Sequence, residues 1–198
     1  MYSPKCPPRP LQVQLLGHLQ VIFGAQAQEI FDGCNGCSNT LVDQLRHKSG
    51  PEWEVLRAAR GVQELALLEM ASAGPLMNSP AATENFLKNY LAGRPYEVFL
   101  LMHLDQRHRL LAVEELFRGT VAEAQVHPRE VLRSILEHNS AAILICHNHT
   151  SGVAQPSHAD ELITLRIREL ASQAEVRVLD HIIVAGNNTF SFASRGLL

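Results

Sequence analysis

Nothing in the chain approaches the roughly 18 consecutive apolar residues that a membrane span needs. The first ten residues, MYSPKCPPRP, also lack the apolar core of a secretory signal. The expectation is a cytoplasmic protein with no membrane partner. Cysteine is scarce: Cys6, Cys34, Cys37 and Cys146 are too few for a disulfide scaffold in 198 residues, and they read as thiols. An excess of positive charge is missing as well, with 17 Lys and Arg against 20 Asp and Glu, a formal charge of −3 and a pI near 6.4. Seven basic residues face eight acidic ones up to residue 90 and ten face twelve beyond it, so neither half is a basic tail. This excludes a generally basic nucleic-acid binder and leaves room only for a local patch. H-E-x-x-H, G-x-x-x-x-G-K-[ST] and G-x-S-x-G are all absent, which removes support for zincin, P-loop and serine-hydrolase chemistry.

What is present is 46% hydrophobic and 19% charged sequence, the balance of a globular chain with one domain, or a small domain joined to a medium one. Four prolines in the first ten residues predict an extended lead-in. Apolar spacing predicts helices over 11–31, 40–46 and 52–71, the last interrupted at Gly61. AGPLMNSPAA at 73–82 has the composition of a connection, so the expected units are a helical region over 1–76 and a second domain over 77–198. There the pattern changes to apolar runs of strand length at 97–104, 110–117, 141–146, 176–185 and 189–192, with helices expected at 83–91, 128–139 and 157–172. Hairpin loops are expected at 105–108 and at Asn187-Asn188. The expected fold class is α/β.

The chemistry concentrates where an uncharged strand, Ala141 to Cys146, runs into His147-Asn-His149. Residues two apart on extended chain point to the same side about 7 Å apart, so both imidazoles can turn toward one ion. Zinc in hydrolytic sites takes three protein ligands and keeps a fourth position for water. Asp160, in the first turn of the helix expected to begin at Ser157, supplies an oxygen at the positive end of the helix dipole. The plain structural alternative is that Ser157-His-Ala-Asp160 has the spacing of a capping box, which needs no metal.

The pattern His147-x-His149-x(7)-Ser157-x(2)-Asp160 resembles the signature of the JAMM, or MPN/JAB, metalloprotease fold. Phe117-Arg-Gly-Thr120, Val126-His-Pro-Arg-Glu-Val131, Ser151-Gly152, Pro156-Ser157 and Val178-Leu-Asp-His-Ile182 resemble the RadC family in particular, over about 77–198. The resemblance implies a cytidine-deaminase-like mixed sheet with flanking helices, preceded by a small helical domain. It implies a zinc metallopeptidase acting on a peptide or isopeptide bond of a protein substrate. His147, His149 and Asp160 would be the Zn²⁺ ligands, and Ser157 would serve the oxyanion or the water. Glu114, by its place before Phe-Arg-Gly-Thr, would be the general base, with Glu115 the alternative because adjacent strand residues face opposite ways. Where the family usually has proline after the second histidine, this chain has Thr150. Relatives carry a helix-hairpin-helix-like DNA-binding segment near the N-terminus, where this chain reads Arg60-Gly-Val-Gln-Glu64 with one glycine instead of two. The alternatives are therefore a non-catalytic scaffold of this fold and a factor associated with DNA repair.

Other signals read as structural. Cys34-Asn-Gly-Cys37 lacks the second pair of a zinc ribbon and the βαβ unit of a thioredoxin site. Cys146 faces away from both histidines, His127 introduces a helix, and His181 is a core histidine that could orient a metal ligand. The arginines between 107 and 133 alternate with acidic residues, as on a solvated surface.

Overall fold

The computed structural model describes residues 9–35, 41–42, 44–45, 48–73, 79–92, 94, 96–119 and 126–198. The chain forms two compact units, Met1–Leu65 and Ala66–Leu198. In the first, α1 (Arg9–Phe23) and α2 (Ala27–Gly33) are separated by a 3₁₀ turn at Gly24–Gln26. The single helix expected over 11–31 is thus two, because Gly24 takes a φ of +54° that a helix cannot continue through. Leu19, Ile30, Leu41, Leu45 and Trp53 form the core of this unit.

The third helix, α3 (Pro51–Ala73), runs through Gly61 without a break, so the expected interruption is absent. One helical glycine costs only about 1 kcal/mol relative to alanine, less than the turns on either side supply. The turn Arg60–Glu64 is therefore helix interior, and it forms no glycine hairpin of the kind that offers backbone N–H groups to phosphate. Thr40, Arg46, Cys6, Cys37 and Thr120 lie outside the described residues.

The second unit holds α4 (Pro80–Leu91), β1 (Val98–Leu104), β2 (Leu110–Arg118), α5 (Pro128–Glu137), β3 (Ala142–Asn148), α6 (His158–Gln173), β4 (Arg177–Ala185) and β5 (Asn188–Ser191). The sheet order is β2-β1-β3-β4-β5, with β3 and β4 parallel and the other pairs antiparallel. It is the mixed α/β sheet with flanking helices that the resemblance implies, preceded in the chain by helices. At β4–β5 the two-residue loop is Gly186-Asn187, one position earlier than expected, since glycine takes the positive φ of +59°.

Every residue of β3 is buried, because helices cover both faces of the sheet. On one face Leu100, Met102, Cys146, Ile182 and Val184 pack with Phe86, Leu87 and Ala71. On the other, Phe99, Leu101, Ile143 and Ile145 pack with Val131 and Ile135 of α5 and Ile167 and Ala171 of α6. A parallel pair needs a crossover, and here it is α6. The chain therefore leaves the C-terminal end of β3, turns, and enters the N-terminus of α6 above the same sheet edge, where open α/β sheets bind ligands.

Candidate metal centre

β3 runs two residues past its expected end at Cys146, so His147 is its penultimate residue and His149 follows just past its end. The backbone N–H of His149 donates to Val184 O at 2.8 Å, which keeps the chain extended there and leaves both rings on the α6 side of the sheet. The loop then closes through the N–H of Gly152 to His149 O, with Gly152 at a φ of +80°. At the start of α6, Ser157 Oγ accepts from Asp160 N at 3.2 Å while Asp160 Oδ2 accepts from Ser157 N at 2.7 Å. That is the reciprocal capping box the spacing allows, and it aims the other carboxylate oxygen back toward β3.

His147, His149 and Asp160 each bring one donor atom within 4.8 Å of the others. The two Nε2 atoms are 2.9 Å apart, Asp160 Oδ1 is 3.2 Å from His147 Nε2, and Asp160 Oδ2 is 3.6 Å from His149 Nε2. His147 and Asp160 are fully buried, and only 13% of the His149 side chain is exposed. His149 Nδ1 lies 2.8 Å from Val153 O; a carbonyl can only accept, so in the neutral ring Nδ1 carries the proton and the Nε2 lone pair faces the cluster. Asp160 Oδ1 is buried with no hydrogen-bond partner, an arrangement that is expensive unless something positive sits among these atoms. Two imidazole nitrogens and a carboxylate oxygen suit a first-row divalent ion such as zinc, so the residues present fit the group.

Burial alone would raise the Asp160 carboxyl, but the His147 and His149 rings, which in their protonated forms would donate to it, and the Ser157 hydroxyl hold it well below the usual carboxylate range. His149 is raised above the ordinary imidazole value, chiefly by the hydrogen bond its protonated ring gives Asp160. Burial opposes this, and the Val153 carbonyl and the charges of Asp160 and Glu97 add to it. His181 lies beneath His147, with Nε2 at 2.8 Å from His147 Nδ1, and burial lowers its pKa well below the ordinary value. Cys146 is turned to the opposite core and its thiol is pushed up by burial, so it is no ligand.

The structure brings together His147, His149, Asp160 and Ser157. Glu114 it places elsewhere. Glu114 opposes Leu101, which opposes Ile145, two residues before His147 on the same face. Strand geometry puts its Cα about 12 Å from that of His147. There it accepts from the Ser134 hydroxyl and lies 3.7 Å from His103 Nε2, 3.8 Å from His138 Nδ1 and 3.7 Å from Arg133 Nη2. His103 and His138 stack at 4.1 Å and 15°, so their in-plane lone pairs do not converge on one ion and the group is a packed polar cluster. Glu115 faces the other core, opposite Leu100, and pairs with Arg94 at 3.5 Å and with Arg118.

The carboxylate beside the triad is Glu97, which the sequence pattern did not single out. It precedes β1; the register that pairs Phe99 with His147, carried two residues further, sets Glu97 across from His149, and the charge of Glu97 acts on the His149 imidazole. Asn148 fixes this edge: its Oδ1 accepts from Val98 N at 2.8 Å and its Nδ2 donates to Tyr96 O at 3.0 Å. The one available signal was an acidic residue opening the otherwise apolar run Val98–Met102.

An α/β sheet domain with a His-x-His and Asp cluster at the carboxyl end of its central strand is the class that fold and site define. A family model described as a RadC-like JAB domain matches residues 77–197, and the chain belongs to that family. The chain is 42% identical over 196 residues to a UPF0758 protein of Nitrosococcus oceani, with 95% of this chain and 85% of that protein covered. It is 46% identical over 143 residues to a UPF0758 protein of Nitrosomonas eutropha, covering 72% of this chain and 64% of that one. A UPF0758 protein of Thioalkalivibrio sulfidiphilus is 48% identical over 151 residues, covering 72% and 67%. No helix among the described residues is long and apolar enough to cross a membrane.

Proposed function

We propose that this protein is a zinc-dependent hydrolase of peptide or isopeptide bonds, working in the cytoplasm on a peptide or protein substrate. The observation that carries the reading is the convergence of the His147 and His149 Nε2 atoms with the unpartnered Asp160 Oδ1. Those three side chains would hold the ion, which when bound supplies Lewis acidity and a water acidified to near neutral pKa. Glu97, half-exposed just before β1 and across from His149, takes the place expected for Glu114: it accepts the proton of the attacking water and returns it to the leaving amine. The Ser157 hydroxyl, at the exposed lip, donates to Asp160 Oδ2 at 2.6 Å. It holds the ligand carboxylate in this arrangement and reaches a developing oxyanion by rotating that proton outward.

The test begins with elemental analysis of the purified protein beside His149→Ala, expecting about one zinc per chain and none. Metal-dependent cleavage of a peptide library follows. Zinc without cleavage would leave a scaffold of this fold, and salt-sensitive retention on DNA would favour the DNA-associated alternative.

A further inference from the structure

The residue that deepens this reading is His181, which no part of the proposed chemistry uses. It lies in β4, paired with Ile145 and so diagonal to His147 on the same face, and it is fully buried. Its ring stacks on Phe192 at 4.8 Å and 15° and meets Phe99 edge-on at 6.0 Å, which fixes its orientation. Both nitrogens are engaged: Nε2 lies 2.8 Å from His147 Nδ1, and Nδ1 lies 2.5 Å from Thr164 Oγ1. The Thr164 hydroxyl in turn donates to Asp160 O at 2.5 Å.

A hydroxyl has one proton, and the carbonyl at the end of this chain can only accept it. Thr164 therefore accepts from His181 Nδ1–H, which leaves the lone pair of neutral His181 on Nε2. That lone pair accepts from His147 Nδ1–H, so the His147 lone pair is on Nε2, the atom facing His149 and Asp160. The direction of every bond follows from the Asp160 carbonyl, so one candidate ligand sets the tautomer of another through two side chains. We infer that His181, acting with Thr164, is a positioning residue that holds His147 in the one tautomer able to ligate an ion through Nε2. The inference rests on the proposed metal centre for its purpose, and on hydrogen-bond direction alone for its content.

Nitrogen-15 spectra of the imidazoles in the metal-free protein read the tautomer directly, and competition with a chelator reads zinc affinity. The expected result is a protonated Nδ1 on His147 in the wild type. His181→Phe keeps an aromatic ring on Phe192 but removes the acceptor, and should lower zinc affinity about 10- to 100-fold. His181→Gln, whose amide oxygen can accept from Nδ1–H, should restore most of it. Should His181→Phe not fold, Thr164→Val removes the end of the chain instead and should mix the His147 tautomers. A wild-type His147 protonated on Nε2, a folded His181→Phe with unchanged affinity, or a Thr164→Val with an unchanged tautomer each overturns the inference. Failure of the wild type to bind zinc would overturn the metal reading instead, and the spectra of the metal-free protein would still decide the tautomer.

Discussion

Asp160→Asn separates what Asp160 does for the fold from what it does for the site. In the wild type Asp160 Oδ2 closes the capping box with Ser157 and lies 3.6 Å from His149 Nε2, while the unpartnered Oδ1 lies 3.2 Å from His147 Nε2. A carboxamide keeps an oxygen for the Ser157 N–H and turns an NH₂ donor toward the His147 Nε2 lone pair. Metal-free stability should therefore stay within about 1 kcal/mol of wild type, the scale of one capping interaction. The response to zinc should differ completely. A ligand at a thousand times its Kd stabilises the folded state by about 4 kcal/mol. At 2–4 °C per kcal/mol for a chain of this size, that is a rise of about 10 °C in Tm. Thermal unfolding with and without zinc should show this rise in the wild type and none in Asp160→Asn. An equal rise in both would refute the ligand assignment. A metal-free loss of about 3 kcal/mol or more would show that the carboxylate serves the fold first.

Three further outcomes follow from the same geometry. Glu97→Gln should retain zinc and lose cleavage about 10²- to 10⁴-fold, while Glu114→Gln leaves cleavage unchanged; the reverse pattern in a peptide assay would return the base to Glu114. His103 is pushed from its ordinary 6.5 to about 4, first by burial and then by His138, with Glu114 opposing. Between those values the unfolded chain binds the extra proton, so stability falls as pH falls from 6.5 to 4, by about 3 kcal/mol. Denaturant titrations across that range should show the slope in the wild type and a flatter one in His103→Gln. Ile145→Ala, in the fully buried core between the sheet and α5 and α6, should cost about 2–5 kcal/mol by urea unfolding.

Some of this was legible because it is local. Strand-length apolar runs, Ser157 with Asp160 three residues on, and two histidines spaced to share a side are relations between near neighbours in the chain. Backbone periodicity alone puts such residues on one face. The helix ends were read less well where one residue decided them. The positive φ of Gly24 splits a helix that the apolar pattern made continuous, while Gly61 sits in a helix that the pattern broke.

The sequence by itself determined the candidate ligand set, His147, His149 and Asp160, and the α/β class, since both arise from period and spacing. Tertiary structure alone decided which carboxylate stands beside that set. Glu114 and Glu97 lie on the two strands of one hairpin, and only the register of β1 against β3 takes one to His149 and leaves the other among His103, Ser134 and His138. The same is true of His181, whose partners come from β3 and α6. Side chains far apart along the chain meet only through strand pairing and the crossover helix, and a slip of one residue would turn each of them to the opposite face.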